Sequence, residues 1–79
     1  MKDIEIIING IVHVVTKNQE LSYEDIIRMA YGSYSDRSDT TYTVTYSRAH
    51  GNKKGLLFKN QSIKVKEGML IYVTCTNRS

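Results

Sequence analysis

"KDIEIIINGIVHVVTK", residues 2–17, decides the fold. Two β-branched runs flank Asn9-Gly10, the dipeptide that most readily supplies the positive φ angles of a type I′ hairpin turn. Ile4, Ile6 and Ile8 share one face by the period-two rule, and Asp3, Glu5 and Ile7 share the other. In the second run Val12 and Val14 fall together, opposite His13 and Val15. The stretch therefore predicts an antiparallel hairpin, read with Ile4, Ile6, Ile8, Val12 and Val14 turned inward.

An apolar face needs a cover, and the next periodic segment supplies one. "SYEDIIRMAYG" (22–32) places Tyr23, Ile26, Ile27 and Ala30 on one stripe at helical spacing. Ser22 can accept the backbone N–H of Asp25 while the Asp25 carboxylate reaches back, and Gly32 suits the stop. A helix this short does not persist in water alone, so it must lie on the hairpin. "NQEL" before it reads as a polar connection, and "SYSDRSD" (33–39) after it as a loop.

"TTYTVTYS" (40–47) alternates strictly, Tyr42, Val44 and Tyr46 against Thr41, Thr43 and Thr45, which is a half-buried strand with one wet face. "RAHGNKKG" (48–55) is a basic loop; "GLLF" and "SIKV" are short apolar or strand pieces, and "KEGM" is a turn. "MLIYVTC" (69–75) is the most apolar strand, expected at the centre of the sheet and covered on both sides. Hairpin, helix, strand, short strand, strand is a two-layer α+β plan, with a mixed sheet of four to five strands and one helix packed on one face: the β-grasp arrangement.

Composition narrows the function. A chain of 79 residues makes one domain, which buries roughly 60–65% of its unfolded surface and leaves little margin for a deep catalytic pocket. Cys75 is the only cysteine, so no internal disulfide forms, and no apolar run approaches the roughly 20 residues of a membrane span. These features predict a cytoplasmic protein without a membrane partner. The net charge of +3 is mild, and the local basic density in "RAHGNKK" reads as a solvated loop rather than a nucleic-acid footprint.

Catalytic and metal chemistry find no foothold in the residues. His13 and His50 are the only histidines, and His13 is expected on the face away from the core. Cys75 has no histidine beside it and reads as a small buried hydrophobe. Asp36, Ser38 and Asp39 share a loop but lack an oriented base, and "GNKKG" lacks P-loop spacing. One cysteine and two distant histidines make no closed metal shell. The expectation is a non-enzymatic protein without metal or cofactor.

"IIING", "LSYEDI", "YTVTY", "HGNK" and "SIKVKEGM…VT" together resemble a bacterial multiubiquitin-type domain, a prokaryotic ubiquitin-like protein, from about Ile6 to Ser79. The resemblance implies a ubiquitin-like β-grasp over residues 1–76 with a C-terminal tail at 77–79. It implies a protein modifier whose C-terminus is activated by an E1-like adenylating enzyme and transferred through an E2-like enzyme, with a deubiquitinase-like peptidase as a further partner. The tail that would carry this chemistry is Thr76, Asn77, Arg78 and Ser79, and it lacks the glycine pair usual in such modifiers. Three readings stay open: trimming to Asn77 or Arg78, activation as it stands, or no conjugation, with the chain acting as a self-assembling or binding module and a possible homo-oligomer. A sulfur carrier ranks lower, since it needs a terminal glycine. On the hairpin facing given above, Ile7 and Val15 lie on the open sheet face, with Ile71 or Val73 candidates to join them as a partner-binding patch. "TTYTVTYS", if an edge, would offer unpaired backbone to another copy.

Overall fold

The Asn9-Gly10 turn forms with φ angles of 52° and 82°, joining β1 (Asp3–Ile8) to β2 (Ile11–Thr16). A computed structural model describes residues 2–34 and 40–77. With two turn residues, Ile8 pairs with Ile11, Ile6 with His13 and Ile4 with Val15. Even positions of β1 therefore share a face with odd positions of β2. This corrects the facing expected for the second strand. Val15 is buried at 9% exposure with Ile4, Ile6 and Ile8, whereas Val12 and Val14 are 54% and 64% exposed. His13, opposite Ile6, sits on the core side and is half-buried.

The helix α1 (Tyr23–Tyr31) has both ends built as the residues predict. Asp25 N–H donates to Ser22 Oγ at 3.1 Å, Ser22 N–H donates to the Asp25 carboxylate at 3.2 Å, and Gly32 closes the last turn at φ 82°. It buries Tyr23, Ile26 and Ile27 against the sheet. Two short strands, β3 (Glu20–Ser22) and β6 (Ser62–Lys64), pair antiparallel as a separate two-stranded sheet. β3 lies where only a polar connection was expected, and β6 does not join the main sheet. Leu21 opposite Ile63 uses this small sheet to close one end of the core.

The main sheet runs β2-β1-β7-β4-β5, with β4 (Thr40–Ser47), β5 (Gly55–Leu57) and β7 (Leu70–Asn77). β1 and β7 are parallel neighbours, and the other pairs are antiparallel. A five-stranded mixed sheet carrying one helix is an α+β fold compatible with a β-grasp. The "KEGM" turn locks the two parallel strands together. Gly68 N–H donates to Glu5 O at 2.8 Å, Glu5 N–H to the Glu67 carboxylate at 2.7 Å, and Ile7 N–H to Met69 O at 2.9 Å. β7 is central as expected, but only one of its faces is covered. Ile71 and Val73 are buried, while Leu70 is half-buried and Tyr72 is 55% exposed.

Candidate functional site

Two surfaces stand out: the sheet face opposite the helix, and the far end of the β4–β7 ladder. On the open face the register places Val12 beside Ile7 and Ile7 beside Leu70. Tyr72 follows Leu70 along β7, and Thr45 separates it from Leu56 on β5. With Val14 this makes an oblique apolar stripe over β2, β1 and β7 that resumes at Leu56 beyond Thr45, exposed at Val12, Val14, Tyr72 and Leu56 and half-exposed at Ile7 and Leu70. Such a stripe is what a protein-docking face offers.

This face contains only one of the four patch residues expected from sequence, Ile7. Val15, Ile71 and Val73 belong to the core, at 9%, 1% and 3% exposure. The cause for Val15 is the two-residue turn, whose pairing parity was readable from the sequence. For β7 it is the pairing with β4, which sets Val73 beside buried Val44. The exposed Val12, Val14 and Tyr72 and the half-exposed Leu70 take their place.

The second surface begins where the third strand gives out. β1 pairs with β7 only at Leu70 and Ile71, and β5 pairs with β4 only at Val44, Thr45 and Tyr46. Beyond them Thr40–Thr43 and Thr74–Asn77 continue as a two-stranded ribbon. Thr41 pairs with Thr76 and Thr43 with Thr74, so four threonines occupy one side of the ribbon. "TTYTVTYS" is thus an interior strand at Val44–Tyr46, and among the described residues it has β7 alone as strand partner at Thr40–Thr43. Thr74, Cys75 and Thr76 are exposed, which corrects the expectation of a buried Cys75. Thr76 and Asn77 are strand residues rather than tail. Arg78 and Ser79, like Asp36, Ser38 and Asp39, lie outside the described residues.

Val73 is the root of this ribbon. Its N–H donates to Asn9 Oδ1 at 2.8 Å, and its carbonyl accepts Asn9 Nδ2 at 3.1 Å. The Asn9 carboxamide thereby stands in for one more peptide of β1, after Asn9 N–H has bonded Ile71 O at 2.9 Å. Tyr31 Oη donates to the same Val73 carbonyl at 2.9 Å. Tyr42, on the other strand, has its ring stacked with Tyr34 at 5.5 Å and tilted against Tyr31 at 6.2 Å. Tyr23 Oη donates to Tyr42 O at 3.3 Å, and burial, seconded by the Tyr34 phenol, raises the Tyr23 pKa above its ordinary 10.0, with Lys59 opposing. Sequence reading found Asn9 as a turn residue and missed it as a clamp, because its partner lies 64 positions away.

Among the described residues no group of three His, Cys, Asp or Glu side chains could hold a metal ion, and no helix is long and apolar enough to cross a membrane. No protein-family model matches the chain, and neither any curated protein nor any solved structure matches it.

Proposed function

We propose that the chain is a bacterial ubiquitin-like protein modifier, itself non-enzymatic. Its C-terminal carboxylate is the chemical handle and its open sheet face is the recognition surface. The sheet order, with first and last strands parallel at the centre and a helix across one face, supports the ubiquitin-like assignment. The observation that carries the functional reading is the way β7 leaves the body after Val73. The Val73 backbone is clamped by Asn9 and Tyr31, and beyond it Thr74, Cys75 and Thr76 are exposed and pair with β4.

Activation requires that end to enter an ATP site in extended form, so the ribbon must open. Each backbone bond of the ribbon contributes a net ~0.5–1.5 kcal/mol, and each freed residue regains ~1–2 kcal/mol of backbone entropy. A two-stranded ribbon without a third strand is marginal by itself. Thr74, Cys75 and Thr76 have exposed side chains that lie outside the core, so a partner enzyme can peel this stretch while the core stays shut. In the first step a carboxylate oxygen attacks the α-phosphorus of ATP, pyrophosphate leaves, and an acyl-adenylate forms. A side-chain nucleophile of the enzyme then displaces AMP.

The test incubates the protein with an E1-like adenylating enzyme encoded beside it and ATP, followed by intact-mass analysis. The expected result is an enzyme-linked adduct dependent on ATP, after loss of terminal residues where a peptidase is needed. Absence of any adduct with an enzyme shown to hydrolyse ATP in the same mixture overturns the modifier reading and leaves non-covalent binding through the open face.

A further inference from the structure

Strand β2 forms one border of the main sheet and carries none of the devices that normally blunt a border. It runs six residues in unbroken register with β1, without a bulge. From Ile11 to Val15 it holds no charge other than the titratable His13, and it holds no proline. The two-residue turn fixes which backbone groups point outward. Ile11, His13 and Val15 bond β1, as Lys17 N–H does beyond them on Lys2 O at 2.8 Å. Val12, Val14 and Thr16 aim their N–H and C=O groups away from the sheet. Thr16 N–H is met by the Gln19 side chain at 3.2 Å, and no described neighbour meets Val12 or Val14.

We propose that this edge pairs with the same edge of a second copy, antiparallel about a two-fold axis through His13. Only an even residue can face an even residue across such a border. With the axis at His13, Val12 and Val14 of one copy exchange backbone hydrogen bonds with Val14 and Val12 of the other, four bonds in all by the antiparallel pattern. The side chains then match without conflict. Valine meets valine on the open face, Ile11 meets Val15 on the helix face, and His13 meets its own counterpart. The outward groups and the apolar pattern are self-complementary, which is the argument for a second copy over an unrelated peptide. Pairing also covers the exposed Ile11, Val12 and Val14 and joins the two apolar stripes across one continuous sheet. An interface of one strand per partner falls below the ~1,200 Å² of stable complexes, so the dimer is concentration-dependent. This inference is independent of the modifier reading.

Light scattering on a size-exclusion column, run from micromolar toward millimolar protein, should show the mass rise from 9.1 kDa toward twice that value. Val14→Pro removes an N–H that points outward and so costs no hydrogen bond to β1, and Val14→Lys places a charge in the middle of the seam. Both should remain monomeric while circular dichroism reports the native fold. Tyr72→Ser removes an open-face side chain away from the edge and should dimerise like the parent. A sample mixing isotope-labelled and unlabelled chains should give intermolecular contacts between the two His13 backbones. A parent chain monomeric throughout, a dimer that survives both Val14 variants, or a dimer lost in Tyr72→Ser but kept in Val14→Lys overturns the proposal; if Val14→Pro misfolds, Val14→Lys decides.

Discussion

Replacing Asn9 with glycine separates the two tasks that this residue performs. Glycine accepts the φ of 52° at position 9 without strain, so the hairpin turn survives, and only the carboxamide clamp on Val73 is removed. Two hydrogen bonds disappear, each worth a net ~0.5–1.5 kcal/mol, and the Val73 N–H loses its partner in a part-buried position. Tyr31 still serves the carbonyl. The expected loss is therefore about 2 kcal/mol, which for a domain of this size lowers Tm by roughly 8–16 °C. Asn9→Asp keeps an acceptor for the N–H but turns an oxygen toward the Val73 carbonyl, so it should fall between the parent and glycine. Asn9→Ala should be worse than glycine by about 1–2 kcal/mol, because alanine resists the left-handed turn. Thermal unfolding by circular dichroism ranks the four proteins. Amide hydrogen exchange then localises the effect, with the Val73 amide losing protection while the β1–β2 ladder changes only by the global loss. An Asn9→Gly protein within about 0.5 kcal/mol of the parent, or a Val73 amide as protected as before, refutes the clamp.

Four further outcomes follow from the same geometry. Ser22→Ala removes the Oγ that accepts the Asp25 N–H, while the backbone N–H at position 22 keeps its bond to the Asp25 carboxylate, and should cost about 1 kcal/mol in urea unfolding, with the helix otherwise intact. Ile27→Ala, at a fully buried position, should cost about 2–5 kcal/mol with an unchanged m-value. The raised Tyr23 pKa means the folded chain holds that proton more tightly than the unfolded chain does. Stability is thus full below the ordinary phenol pKa and falls as pH climbs through 10.0 and above. Tyr23→Phe should flatten that alkaline decline relative to the parent in unfolding scans. A chain ending at Val73 should stay folded, since Thr74, Cys75 and Thr76 are exposed and lie outside the core, and should lose every ATP-dependent adduct.

Local chemistry made much of this fold legible. Asn9-Gly10 dictates the hairpin, Ser22, Asp25 and Gly32 bound the helix, and the tyrosine-threonine alternation of β4 assigns its two faces. The pairing parity that sends Val15 inward and Val12 and Val14 outward was also present, carried by the count of turn residues. What the sequence did not contain was any register between distant strands. Where β1 stops beside β7, how far β4 follows β7 toward Asn77, and that β3 finds β6 are all decided by side chains settling under one helix. Backbone hydrogen bonds are nearly equal in every register, so only the packing of Ile71 and Val73 in the core selects one. The exposed ribbon, and the joining of Leu70 and Tyr72 to the outward valines of β2 in one face, are consequences of that selection, visible only once the chain has folded.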